Sequence, residues 1–76
     1  MMAYLKVLVP GRENQDIDVL INKRKNGKVG KIIVLDDGYV KISVDLPNAE
    51  EKTVNIKNTA EDRPRVVKIK CPEEAV

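Results

Sequence analysis

The side chains able to carry out chemistry are few in this 76-residue chain. There is no histidine, so the commonest general base near neutral pH is missing. Ser43 is the one serine; alternation places it on the outward face of a strand with no base beside it. Cys71, the single cysteine, allows no internal disulfide, and without histidine or a second thiolate no zinc tetrahedron can be assembled. Its inward phase makes it a small core residue rather than a nucleophile. Asp16 and Asp18 share a strand face, and Asp36-Asp37 form an acidic turn; a pair of carboxylates supplies too few oxygens for a hard cation. This inventory predicts no enzyme, no metal and no cofactor. What remains is charge. Lys23, Arg24, Lys25, Lys28 and Lys31 cluster in KRKNGKVGK, around two glycines, with no acid inside the segment.

Lysines on a glycine-rich hairpin suit phosphate. Each neutralised phosphate releases counterions, giving salt-sensitive binding without sequence preference, and backbone amides beside Gly27 and Gly30 can approach oxygens closely because no Cβ intervenes. Aromatic platforms for stacking single-stranded bases are limited to Tyr4 and Tyr39, so duplex or structured RNA suits the chain better. The competing reading is a solvated cationic turn that keeps a β protein from aggregating. Fourteen basic against 12 acidic residues give a formal charge of only +2, well short of a dedicated nucleic-acid binder.

The elements that must position these residues read as strands. In YVKISVDL, Val40, Ile42, Val44 and Leu46 alternate with polar residues, the signature of a half-buried strand. DIDVLIN directs Ile17, Val19 and Ile21 inward, YLKVLV directs Leu5, Val7 and Val9, KTVNIKN directs Val54 and Ile56, and RVVKIKC directs Val67, Ile69 and Cys71. KIIVL is continuously apolar, as a central strand covered on both faces would be. Pro10-Gly11, Asn26-Gly27, Asp36-Asp37-Gly38 and Pro47-Asn48 punctuate the runs as turns. Helical periodicity is absent. The expectation is one all-β domain over residues 1–76: an SH3-like small barrel of five or six short antiparallel strands, or alternatively a β-sandwich, with residues 72–76 a disordered tail.

The stretch NGKVGKIIVLDDGYVKISVDL, with DIDVLIN ahead of it, resembles the KOW motif over about residues 16–46. Gly27, Lys28, Gly30, Lys31 and Ile32 occupy the core of that motif, and Asn22 stands where the family carries a glycine. The resemblance implies a small SH3-like barrel that binds RNA, or protein partners within ribonucleoprotein assemblies. VLDDGYVKISVDLPNAEEKTVNI is similar, less closely, to the later half of PEGA-type β-sandwich modules.

Composition also raises an assembly question. The apolar residues are nearly all Val, Ile and Leu, with no Phe or Trp, so a short chain must build its core from aliphatic groups alone. Leu8, Leu20, Ile33 and Val66 fall out of phase with the inward sets and are expected to face outward, as an interface with a protein partner or a second copy. The N-terminal apolar stretch is short and interrupted by Lys6, which suits neither a signal peptide nor a membrane span. A soluble, cytoplasmic binding module is expected, contacting nucleic acid or ribonucleoprotein through the hairpin, or self-associating through apolar strand faces. No small-molecule substrate and no membrane is expected.

Overall fold

A computed structural model describes residues 2–12 and 15–71; the tail expected at 72–76 lies outside them. Seven strands follow in order: β1 Met2–Leu8, β2 Asp18–Ile21, β3 Arg24–Lys28, β4 Ile32–Asp36, β5 Gly38–Val44, β6 Lys52–Ile56 and β7 Arg65–Lys68. The all-β expectation holds. The additional strand is β3, inside the segment read as a turn. Its sequence, RKNGK, has no apolar residue to alternate, and its extended conformation comes from backbone pairing with β2.

Two sheets form, β4-β1-β7 and β3-β2-β5-β6. The four-stranded sheet is antiparallel throughout, whereas β1 pairs antiparallel with β4 and parallel with β7. A purely antiparallel arrangement is thus corrected by the β1–β7 pair. The sheets face each other as two layers and do not close into a barrel, because no strand ladder joins them at either corner. At one corner Gly30 N–H donates to Val7 O at 2.9 Å, just past the Val29 N–H to Ile17 O bond that extends the β2–β3 pairing. At the other, Glu50 N–H donates to Lys70 O at 2.9 Å, and the Lys52 ammonium donates to Lys68 O at 2.7 Å.

The core is wholly aliphatic. Leu5, Ile42, Ile56 and Ile69 are completely buried between Ala3, Val7, Val9, Val19, Val44 and Val67, and no polar side chain among the described residues is buried with them. Each large aliphatic side chain removed from water contributes roughly 1.5–3 kcal/mol. Period-two alternation predicted Leu5, Val7, Val9, Ile17, Val19, Ile21, Val40, Ile42, Val44, Ile56, Val67 and Ile69 as inward, and all are buried. Leu46, Val54 and Cys71 are only half-buried and pack against the rim of this core.

Two expectations fail at β4. It is an edge strand rather than a central one, since its only ladder is with β1. Its phase is also reversed: Ile33 points into the core at 3% exposure, while Ile32 (41%) and Val34 (45%) face outward. Ile33 therefore cannot belong to an exposed interface. The continuous run IIVL carries no internal cue to its phase; the cross-strand pairing of Ile33 with buried Leu5 sets it.

Candidate functional site

The basic segment is a strand-turn-strand whose tip lies earlier than Asn26-Gly27. The reversal between β2 and β3 occurs at Asn22-Lys23, both in the left-handed region (φ 51 and 68), as in the primed two-residue hairpin turns. Asn22 suits this conformation and is tied to β5: its N–H donates to Lys41 O at 2.8 Å, and Lys41 N–H donates to its Oδ1 at 3.0 Å. Asn26-Gly27 instead forms a bulge, two residues opposing Val19 between the Asp18–Lys28 and Leu20–Lys25 pairs. Gly27 has φ +83 and lies over the Ile33 side chain so closely that a Cβ there would meet Ile33 Cγ1 at 2.5 Å. Gly30, also left-handed at φ +81, is the third residue of the Lys28–Lys31 turn that carries the chain to the other sheet.

This path divides the five cations. Lys23 sits in the hairpin tip, Arg24 opens β3 beside it, Lys25 and Lys28 lie further along β3, and Lys31 stands before β4 on the second sheet. Acids distant in sequence neutralise the middle pair. The Lys28 ammonium is 2.6 Å from Asp18 and 3.3 Å from Asp16, and the Lys25 ammonium is 3.6 Å from Asp18 and 3.7 Å from Asp45. The hydrogen bond from Lys28 holds the Asp18 carboxyl below the ordinary aspartate value, helped by the charges of Lys28 and Lys25. Reciprocally, the hydrogen bonds to Asp18 and Asp16 raise Lys28 above the ordinary lysine value. Lys23, Arg24 and Lys31 are exposed and form no ion pair with a described residue.

The four residues expected at an interface go to three places. Ile33 is in the core. Leu20 lies half-buried on the outer face of the four-stranded sheet, between Lys25 and Ser43 of the flanking strands. Leu8 and Val66 share the outer face of the three-stranded sheet, and there they have company. Cross-strand pairing puts Val34 beside Tyr4, and Ile32 and Val66 on either side of Lys6. Val66 is 49% exposed, Leu8 and Tyr4 are half-buried, and Met2 is exposed at the far end of β1. These residues form one apolar face across three strands, with Asp36 at one corner and Lys68 at the other. Met2, Tyr4, Ile32 and Val34 were absent from the expected interface. For Ile32 and Val34 the missing signal was the phase of β4.

The remaining polar groups are occupied structurally. The Ser43 hydroxyl donates to Glu50 O at 2.8 Å, and the half-buried Cys71 thiol to Pro47 O at 3.3 Å. Tyr39 is exposed on the outer face of β5, paired across the sheet with Asn55. Among the described residues no three acids, histidines or cysteines come together as metal ligands. A shallow open recess, lined by Met2, Ala3, Asp37, Lys57, Asn58 and Thr59, continues from the end of the apolar face. No helix among the described residues is long and apolar enough to cross a membrane. No family model, no curated protein and no solved structure matches the chain.

Proposed function

We propose that this protein is a non-enzymatic binding module, a protein-interaction subunit that docks through the outer face of its three-stranded sheet. The observation that carries the reading is the continuity of apolar side chains across β4, β1 and β7, where an outward face would ordinarily alternate to polar residues. Lys6 stands in the middle of the face, half-buried, and its aliphatic stem extends the apolar surface while its charge discourages random association.

A second reading, contact with nucleic acid or ribonucleoprotein, is supported by the KOW resemblance and by the exposed cations Lys23 and Arg24 at the hairpin tip, with Lys31 beyond them. It is weakened at Lys25 and Lys28, where each phosphate contact must displace an aspartate already in place.

Site-specific photo-crosslinking in the producing cell separates the two. A photoreactive residue at Val66 is expected to give a protein adduct of defined mass, while the same residue at Lys41, on the opposite sheet, gives none. A nuclease-sensitive adduct from position 23, with none from 66, would overturn the first reading in favour of the second. Equal labelling at 66 and 41 would discard the face as a specific surface.

A further inference from the structure

The two sheets present four edge strands, and three of them are protected against pairing with another chain. β3 carries Arg24, Lys25 and Lys28 and is broken by the Asn26-Gly27 bulge. β6 begins at Lys52 and is followed by Lys57. β7 carries Arg65 and Lys68, and the Lys52 ammonium occupies its Lys68 carbonyl. These are the usual devices that blunt an edge. β4 is the least protected, with its charges, Lys31 and Asp36, confined to its two ends. Its sequence, IIVLD, contains no lysine or proline, it has no bulge against β1, and the backbone groups it turns away from β1 bond to no other described residue.

We infer that β4 pairs antiparallel with β4 of a second copy of this chain, making one continuous six-stranded sheet from two three-stranded ones. The occupant follows from charge. Lys31 stands just before the strand and Asp36 ends it, both exposed and neither in an ion pair with a described residue. A two-fold, antiparallel pairing brings Lys31 of each copy to the Asp36 end of the other; a parallel pairing would set like charges together. Register follows from the faces. Because a one-residue slip would turn core residues to solvent, odd positions must lie opposite odd ones, and the pairing taken here sets Ile33 opposite Ile33 and Ile32 opposite Val34 of the second copy. That choice places two β-branched cross-strand pairs on the outer face, and it leaves Lys31 one step from Asp36 of the second copy, within reach of its four-carbon stem. This inference goes beyond the proposed docking face, which it would extend across two copies through Ile32 and Val34; Val66, two strands away from the pairing line, belongs to that face alone.

Sedimentation equilibrium over a wide concentration range tests it with four variants. The unmodified chain is expected to dimerise. Lys31→Glu and Asp36→Lys each replace two attractive end contacts with two repulsive ones and are expected to weaken the dimer by about tenfold or more. The double variant, with both charges exchanged, is expected to recover it. Val66→Lys is expected to leave it unchanged. Circular dichroism checks that each exposed-site variant keeps its strands, and slowed amide exchange over residues 32–36 at high concentration reports the pairing without any substitution. A monomer at every concentration overturns the inference. So does a dimer indifferent to Lys31→Glu, or singles that weaken it without recovery in the double. A dimer lost in Val66→Lys but not in Lys31→Glu overturns edge pairing while leaving the apolar docking face in place.

Discussion

Gly27→Ala tests whether the β3 bulge is clamped against the core. Two costs add at this site. An alanine held at φ +83 bears a left-handed penalty of about 1–2 kcal/mol. Its Cβ would also lie 2.5 Å from Ile33 Cγ1 and 2.9 Å from Cδ1, and Ile33 is buried and cannot swing away freely. Overpacking of this kind costs about 1–3 kcal/mol. Gly30 supplies the control: it has nearly the same φ, +81, but nothing within 4 Å of a Cβ. Gly30→Ala should therefore lose only the first cost, about 1–2 kcal/mol, and Gly27→Ala about 2–5 kcal/mol. For a domain of this length the whole stability is on the order of 4–11 kcal/mol, so the larger loss removes a substantial share of it. Urea denaturation of both variants, with unchanged m-values, gives the comparison directly. Ile33→Ala in the Gly27→Ala background should cost less than Ile33→Ala alone, because it also removes the overlap. Equal losses for Gly27→Ala and Gly30→Ala, within about 0.5 kcal/mol, would refute the clamp and leave only a backbone effect.

Two further outcomes concern the hairpin. Lys23→Gly restores the Asn-Gly pair that the left-handed turn favours and should stabilise the protein by about 0.5–1 kcal/mol; thermal melting measures it, and if the second functional reading holds, nucleic-acid binding should weaken at the same time. The Asp18 carboxyl, depressed by its Lys28 hydrogen bond, stabilises the fold at neutral pH. That contribution should begin to fade as pH falls below the ordinary aspartate value and vanish below the depressed one, whereas Lys28, raised by the same bond, loses its share only as pH climbs past the ordinary lysine value. Carboxyl NMR titration of Asp18 should show a midpoint below the ordinary range that moves upward in Lys28→Met. An unmoved midpoint would place the cause elsewhere.

Much of the inner architecture was legible because strict alternation leaves one solution. In YVKISVDL, burying Val40 commits Ile42 and Val44 as well. Four things were not legible, each for a physical reason. β3 is invisible to hydrophobic pattern because RKNGK has nothing to bury. IIVL can be placed in either phase, and only its pairing with Leu5 decides that Ile33 enters the core. The local net charge of the basic cluster depends on contacts through space: Asp16, Asp18 and Asp45 lie outside the segment, yet they form ion pairs with Lys25 and Lys28. The hairpin tip was misplaced because two asparagine-containing pairs four residues apart competed for it. The one containing Lys23, a residue without special liking for positive φ, prevailed because Asn22 is anchored to Lys41.

The parallel pairing of β1 with β7 sets an order of events for the nascent chain. The ladder seats Leu8 beside Lys68, nearly the full described length away, whereas β2, β3, β5 and β6 are joined by neighbouring antiparallel pairings. The four-stranded layer can assemble while synthesis continues. β1, made first, must wait with Leu5 and Val7 uncovered on one flank until β7 arrives, and closing so distant a pair is slow. During that interval the β7 side of β1 is an unpaired strand edge.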